Sequence, residues 1–285
     1  MKNDSDILRA FCAPVIKRDL FFQLLKREVQ QRYRGSVLGG LWQFVNPLML
    51  LSAYTIVFTI IFEAKWEQKI DQKGEFAVIL FTGLIVYSII VEMVNVSSNL
   101  IRNQPNLVKK VIFPLEIIPW VALSNALIQG AISLGILIFM KFIFEIINVW
   151  PNLQHLDAEN IIPMTILLLP IVWLQLIGWG ISIGWFLSAT GVYLKDISQL
   201  SNLISLILLF MSPIFYPIER LPEILRKWLE PNPLAQVISQ TRDIIIWGEF
   251  PNWQKLIIYT ILSYLCAFLS LKYFQKLKSG FADVL

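Results

Sequence analysis

Six long apolar stretches, separated by shorter polar segments, dominate the pattern of hydrophobic and polar positions along the 285-residue chain. They cover residues 41–62, 76–100, 117–147, 161–189, 200–216 and 256–273. A hydrocarbon core of about 30 Å takes roughly 20 apolar residues of helix, and lipid cannot satisfy the hydrogen bonds of an unpaired backbone. The pattern therefore predicts an all-α integral membrane protein with six transmembrane helices in a single domain covering 1–285.

A charged segment precedes the first apolar stretch. Between residues 18 and 34, apolar positions recur at roughly helical spacing among lysines and arginines; they are Leu20, Phe21, Leu24, Leu25 and Val29. A cationic amphipathic pattern of this kind is typical of a helix that lies on a membrane surface. We expect an N-terminal amphipathic interfacial helix within a cytosolic segment 1–37, followed by the six-helix membrane domain 38–274. A helix that merely anchors the first span is the alternative.

The segment 217–253, before the last span, is too polar to cross a membrane. Pro222 suits the first turn of a short helix, and the prolines of the run EPNP at 230–233 interrupt it. A second helical pattern then follows, with apolar or small positions at Leu234, Val237, Ile238, Thr241 and Ile245. The segment predicts short re-entrant helices that dip into the outer leaflet.

The distribution of charge orients the spans. Lysines and arginines concentrate before the first span, between the second and third spans, and after the sixth, whereas the loop 148–160 has none. By the positive-inside rule, both termini are cytosolic, including a tail at 275–285. Lys65, Lys69 and Lys73 in the first outer loop depart from this rule, but acidic residues alternate with them. We interpret that loop as solvated and balanced in charge.

Composition supports the membrane assignment and narrows the chemistry. Hydrophobic residues make up 56% of the chain and charged residues 15%, against roughly a quarter charged in soluble domains. Cytosolic flanks that face anionic lipid account for the formal net charge of +4, so no nucleic-acid partner is expected. Cys12 and Cys266 are the only cysteines, and they predict neither a disulfide framework nor a metal site.

Few residues suggest catalysis by this chain. It has no G-x-x-x-x-G-K-[ST] phosphate loop, so we expect no bound cofactor and the hydrolysis of any ATP on another subunit. His155, the only histidine, lies near Asp157 and Glu159 in an outer loop. Acid–base or metal chemistry is conceivable there, but a lone loop histidine is more often simply solvated. The sequence does not predict an enzyme.

Two features inside the spans predict helix contacts. One face of the second span carries Glu92, Asn95 and Asn99. These residues are either a polar patch on a translocation path or donors and acceptors between helices. The fourth span contains Gly178, Gly180 and Gly184, small residues that allow close helix contact within one chain or between two.

Aromatic residues form a more distinctive pattern than charges do. Along the first span, a stripe recurs every four residues: Trp42, Asn46, Leu50, Tyr54, Phe58 and Phe62. The outer end of the fifth span carries Phe210, Phe215 and Tyr216. Aromatic faces stack on the apolar faces of sugar rings, so a polymer can slide along such a stripe. Lipid-facing packing, or an interfacial aromatic belt, is the alternative.

Two compact polar loops lie on the cytosolic side. The first, at 101–120, has a short basic helix between Pro105 and Pro114. The second joins the fourth and fifth spans, with Lys195 and Asp196 at its centre. Such loops suit the docking of a soluble partner, and ordinary connecting loops are the alternative.

Four ordered motifs together resemble a known family. They are RYRGSVLGGLWQFVNPLMLL at the first span, LVKKVIFPLEIIP in the first cytosolic loop, SPIFYPIERLPEILRKWLEPNPLAQVISQTRDIII before the last span, and GFADVL. The chain resembles permeases of ABC exporters for O antigen, capsule or teichoic acid, and the likeness covers nearly its whole length.

That resemblance implies a homodimer that binds two copies of a separate ABC ATPase, which carries the ATP and Mg. Residues of the two cytosolic loops are then implied to couple to the ATPase: Gln104, Asn106, Lys109, Lys110, Lys195 and Asp196. A channel at the dimer interface is implied to be lined by aromatic residues: Trp42, Tyr54, Phe58, Phe62, Phe210, Phe215 and Tyr216. The interfacial helix is implied to border the cytosolic entrance, in contact with membrane lipid.

The hypothesis from sequence is an ATP-driven exporter of lipid-linked polysaccharide in the bacterial inner membrane. O antigen is the first choice of substrate, with capsule and teichoic acid after it. An ABC exporter of drugs or small lipids is one rival. The other is a membrane-embedded glycan transferase, for which the sequence offers one charged cluster: Glu219, Arg220, Glu223 and Arg226.

Overall fold

The structure is a computed structural model that describes residues 10–32, 35–61, 75–109, 113–149 and 163–285. No strand occurs among these residues. Several sequence predictions fall outside the described ranges, namely those on Phe62, Lys110 and the outer-loop group His155, Asp157 and Glu159. The described residues confirm an all-helical protein.

Twelve α-helices follow one another along the described ranges. They are α1 (Ala13–Ile16), α2 (Arg18–Arg32), α3 (Trp42–Tyr54), α4 (Glu75–Ser97), α5 (Pro105–Val108), α6 (Ile117–Val149), α7 (Leu169–Tyr193), α8 (Ile197–Met211), α9 (Glu223–Leu229), α10 (Pro233–Arg242), α11 (Trp253–Lys278) and α12 (Phe281–Val284). Short 3₁₀ turns precede α3, α7 and α9, and π-helical segments extend α3 over Thr55–Ile61 and α10 over Asp243–Trp247.

Five of these helical stretches are long and apolar enough to cross a membrane. They are Gly39–Phe58, Phe76–Ser97, Ile117–Ile143, Met164–Tyr193 and Trp253–Lys278. The fifth predicted span, 200–216, corresponds to α8, which has 15 residues and a length of about 22 Å. A membrane crossing by this fifth predicted span therefore stays a prediction, and so does the total of six spans. Pro213 gives the physical reason for the early end, because it forces Ser212 into extended backbone with ψ at 145°.

The second span, α4, lies at the centre of the bundle. In its most apolar window, 78% of the residues are buried inside the protein, against 6% in the first span. It packs against α6, α7, α8 and α10, while α7 and α11 form the most extensive helix pair. The first span lies at the periphery, so most of its side chains are free to meet lipid or another chain.

The glycines of α7 make the close helix contacts predicted from sequence, and they make them within one chain. A Cβ added to Gly178, Gly180 or Gly184 would overlap a residue of another helix. The facing residues are, in order, Ser263 of α11, Leu123 of α6, and Pro119 of α6 together with Met93 of α4. These glycines therefore allow one helix to approach three neighbours closely.

The segment between α8 and α11 confirms the predicted helical spacing. Asn232 caps α10 by accepting a hydrogen bond from the Leu234 backbone N–H at 3.0 Å, and Pro233 occupies the first turn. All five positions singled out in the pattern are buried: Leu234, Val237, Ile238, Thr241 and Ile245. The depth of α9 and α10 in the membrane stays a prediction.

Candidate functional site

Four of the predicted channel aromatics lie together where the first span approaches the end of α8. Tyr54 and Phe58 stack with ring centroids 6.0 Å apart, and Phe215 lies 6.2 Å from Phe58 and 6.3 Å from Tyr54. Phe210 extends the group, at 6.5 Å from Phe215, and Phe76 closes it from α4 at 5.3 Å from Phe58. The result is a continuous aromatic surface built from the first, second and fifth predicted spans.

A change of helix type favours this stacking. In an α-helix, residues four apart are rotated by about 40° from one another, so a stripe with that spacing slowly winds around the helix. After Tyr54 the chain becomes π-helical, and the wider turn rotates the next member of the stripe back. Tyr54 and Phe58 consequently face the same neighbour, Phe215.

Phe210 is the accessible member of the aromatic surface. Its side chain is 61% exposed, whereas Tyr54, Phe58 and Phe215 are half-buried. The hydroxyl of Tyr216 donates a hydrogen bond of 2.7 Å to the Phe210 backbone carbonyl. That bond folds the turn after α8 back on the helix, so Tyr216 positions the cluster.

Trp42 does not join this group. It is the first residue of α3, and its separation of twelve positions from Tyr54 corresponds to about 18 Å of helix. Any contact of Trp42 with the same substrate therefore requires an extended molecule.

A buried arginine that the sequence reading passed over anchors the turn behind the aromatic cluster. Arg242, at the end of α10, is only 5% exposed. Its guanidinium donates to three backbone carbonyls, those of Ile79 at 3.1 Å, Pro213 at 2.6 Å and Ile214 at 2.9 Å. Gly83 makes room for it, because a Cβ there would lie 2.8 Å from Arg242 Nη2. The available signal was the single cation of the segment 233–247, which adjoins the buried positions of its helical pattern.

A groove with polar walls lies between α2, the C-terminal end of α4 and the N-terminal end of α6. It comprises two adjoining cavities of about 270 Å³ each. The walls offer amide and charged groups over an apolar floor; the polar lining includes Arg27, Glu28, Gln31, Asn103, Gln104 and Asn125. The groove is therefore suited to a molecule with both polar and apolar parts.

An ion pair ties α2 to the bundle at this groove. Arg32 Nη1 lies 2.7 Å from Glu92 Oε1, and both side chains are partly exposed. Elsewhere on the same face, the side-chain oxygen of Asn95 accepts a hydrogen bond from Ser205 Oγ at 2.9 Å. That of Asn99 accepts one from Arg102 Nη1 at 3.4 Å. Glu92 and Asn95 thus connect the second span to distant segments, whereas the bond of Asn99 is local. Sequence reasoning missed the partner of Glu92 because it lies 60 positions away in the chain.

The predicted coupling residues within the described ranges lie in two loops, one between α4 and α6 and one between α7 and α8. Gln104 is the N-cap of the four-residue helix α5, and Asn106 and Lys109 are exposed beside it. Lys195 and Asp196 form the exposed turn between α7 and α8. The geometry presents both groups to solvent but assigns them no role.

Five helices of membrane length among the described residues define an integral membrane protein. Residues 19–246 match the ABC-2 type transporter family, and the match covers most of the chain. The chain belongs to this family, which confirms the resemblance drawn from the four motifs.

Individual relatives carry the comparison further. The chain is 26% identical over 268 residues to the O-antigen export system permease protein RfbA of Klebsiella pneumoniae, covering 94% of this chain and 95% of the relative. It is 24% identical to the protein of the same name from Myxococcus xanthus, covering 93% and 95%. It is 23% identical to the polysialic acid transport protein KpsM of Escherichia coli, covering 88% and 91%.

Proposed function

We propose that this chain is the membrane subunit of an ATP-driven exporter of lipid-linked polysaccharide, with O antigen as the first candidate substrate. The observation that carries the proposal is its nearly end-to-end similarity to relatives named for two different polysaccharides. What those relatives share by name is the transport of a long glycan. The proposed location is the bacterial inner membrane, with both termini in the cytosol.

The groove at α2 suits the place where substrate enters. Sugars carry many hydroxyl groups, and planar amide and charged side chains such as Gln31, Asn103 and Asn125 can donate to and accept from them. The apolar floor suits a lipid anchor. We therefore infer that a lipid-linked glycan enters beside α2 and leaves past the aromatic surface around Phe58 and Phe215.

Energy comes from a partner in this proposal. ABC-2 family membership implies an ATPase subunit, and the chain itself has no phosphate-binding loop. We propose that two ATPase copies, which hold ATP and Mg, act on α5 and on the turn at Lys195 and Asp196. The permease then supplies the path, and the ATPase moves its walls.

The outward face of α8 supports a homodimer. This helix buries Ser201 and Ser205 against its own bundle and exposes large apolar side chains instead. The exposed set is Leu200, Leu203, Ile204, Leu206, Ile207, Phe210 and Met211. A second copy that covers this face would place two aromatic surfaces on opposite sides of one channel.

Cysteine cross-linking tests the dimer. In a two-fold interface a residue near the axis meets its own copy, so we expect Ile207→Cys to give a cross-linked dimer with a short bis-maleimide. The background replaces Cys12 and Cys266 by serine, and the assay is gel electrophoresis of cross-linked membranes. Ile261→Cys is the matched control, because Ile207 is 59% and Ile261 64% exposed. Equal dimer yields from both positions would contradict an interface at α8.

The rivals make different demands on the structure. A glycan transferase needs reactive groups gathered in a cleft, yet Arg220, Glu223 and Arg226 are exposed. An exporter of drugs or small lipids has no need of an extended aromatic track. Variants of the aromatic residues therefore distinguish a polysaccharide exporter from an exporter of drugs or small lipids.

The test is deletion of the gene followed by complementation with variants, scored for surface polysaccharide and for polymer retained in the cell. Deletion is expected to abolish the display of polysaccharide on the cell surface and to cause lipid-linked glycan to accumulate in the cytosol. Phe210→Ala is expected to reduce surface display several-fold, because it removes the accessible ring of the cluster. Phe139→Ala on α6 is the control, with an exposure of 60% against 61% for Phe210.

Each outcome separates the hypotheses. Unchanged polysaccharide on both sides after deletion favours a small-molecule exporter. If deletion abolishes surface polysaccharide and Phe210→Ala restores it fully, the export function stands and the role of the aromatic surface is contradicted. Both variants are compared at matched amounts of permease in the membrane.

A further inference from the structure

The last helix, α12, packs closely against the ends of α7 and α11, at the proposed cytosolic end of the bundle. Its first residue, Phe281, is completely buried. The Phe281 ring contacts Tyr193 with centroids 6.1 Å apart and Phe274 with centroids 5.6 Å apart. Tyr193 is the last residue of α7, so α12 packs at the point where that helix gives way to the turn at Lys195 and Asp196.

Hydrogen bonds and an ion pair stabilise the same packing of helix ends. The Tyr193 hydroxyl donates to the Leu277 backbone carbonyl at 2.9 Å. Gly280 leaves space for this hydroxyl, since a Cβ there would lie only 2.5 Å from Tyr193 Oη. Lys278 Nζ donates to Glu116 Oε2 at 2.6 Å. Because Glu116 directly precedes α6, the end of α11 is also tied to the end of the first cytosolic loop.

Helix α12 also reaches the beginning of that loop. Helix α12 contacts α5 as well as α7, and its outer residues Ala282, Asp283 and Val284 are exposed. One short helix thus touches the first proposed coupling element directly and the second through Tyr193. A helix of four residues is not stable alone, so α5 depends on contacts such as the one with α12.

We propose that α12 is a brace, with Phe281 as its positioning residue, that holds α5 and the 194–196 turn in one fixed arrangement. ATPase subunits that push on either loop would then move both as a single body. This inference rests on the proposed function, which makes those two loops the coupling elements.

The arrangement of the loops is tested directly by distance measurement. Spin labels are attached at Asn106→Cys and Asp196→Cys in the full chain, with Cys12 and Cys266 replaced by serine. Double electron–electron resonance is expected to give one narrow distance distribution in this parent. Phe281→Ala is expected to broaden it at least twofold, whereas Val284→Ala, on the exposed side of α12, leaves it narrow. Phe281→Leu, which restores most of the buried volume, is expected to restore the narrow distribution.

A milder variant keeps the proposal testable if Phe281→Ala misfolds. Tyr193→Phe keeps both rings and removes only the hydroxyl that binds the Leu277 carbonyl, and we expect it to broaden the distribution to a smaller degree. Distributions in Phe281→Ala and Tyr193→Phe that match the parent overturn the proposal. If Phe281→Ala is not recovered from membranes, an unchanged Tyr193→Phe distribution alone overturns it.

A second measurement asks whether the brace matters for transport. In the complex with the ATPase subunit, Phe281→Ala is expected to lower the glycan exported per ATP hydrolysed several-fold while ATP hydrolysis continues. A loss of folded protein alone would lower both quantities together. An unchanged ratio despite a broadened distance overturns the coupling role of α12. A parent complex that moves no glycan instead contradicts the proposed function and leaves the distance result standing.

Discussion

Replacing Arg242 by methionine is expected to destabilise the protein by about 3–5 kcal/mol, the range typical when one partner of a buried charged interaction is removed. Methionine has a comparable length but cannot donate to the carbonyls of Ile79, Pro213 and Ile214. Each of these buried acceptors then loses a charge-assisted hydrogen bond worth roughly 1.5–3 kcal/mol. The measurement is the midpoint of thermal unfolding in detergent, followed by size-exclusion chromatography.

The controls separate charge from geometry at this site. Arg226→Met removes an arginine whose only described ion pair, with Glu230, is exposed and 3.9 Å long, so little change is expected. Arg242→Lys keeps the charge but offers one ammonium where the fork of the guanidinium serves three directions. We expect it to fall between the native chain and the methionine variant. Equal midpoints for Arg242→Met and Arg226→Met would show that the three bonds contribute nothing.

Arg242 also connects stability with the proposed path. Two of its acceptors, Pro213 and Ile214, lie in the turn that carries Phe215. The third, Ile79, belongs to α4, the buried centre of the bundle. Losing the anchor should therefore release Phe215 from its place beside Phe58, and export should fall in Arg242→Lys even where the protein stays folded.

The sequence predicted best the features that depend on local pattern and on lipid. Apolar length predicted six spans, and five of them are membrane-length helices in the described residues, since hydrocarbon imposes the same requirement on every span. Helical spacing identified the buried face of α10, and small residues identified the contacts of α7 at Gly178, Gly180 and Gly184. Periodicity also selected Tyr54 and Phe58, which lie together in the structure.

Features that depend on distant pairs could not be predicted in this way. Arg32 meets Glu92, and Lys278 meets Glu116, but nothing in either local segment specifies its partner. Strict spacing alone placed Trp42 in the aromatic stripe, whereas the helical rise sets it about 18 Å from Tyr54. The sequence predicted a cytosolic tail at 275–285 but gave no sign that these residues extend α11 to Lys278 and pack back through Phe281.

Gly191 offers the second prediction with a large expected effect. It lies near the end of α7, and a Cβ added there would overlap the backbone carbonyl oxygen of Ser98 and lie 2.8 Å from its carbonyl carbon. A backbone cannot rotate aside as a side chain does. Gly191→Ala should therefore force α7 away from the end of α4, at a cost of about 1–3 kcal/mol, as in other overpacked interiors.

The position of this contact makes its functional effect larger than its effect on stability. Ser98 follows the end of α4, where the loop to α6 begins, and Gly191 lies two residues before Tyr193, where the turn between α7 and α8 begins. Gly191→Ala should thus displace both loops relative to each other, and we expect export to fall at least tenfold while the melting midpoint falls by several degrees. Gly135→Ala on α6 is the matched control, because its added Cβ meets no atom within 4 Å. If the two alanine variants export equally, close packing at Gly191 does not set the arrangement of these two loops.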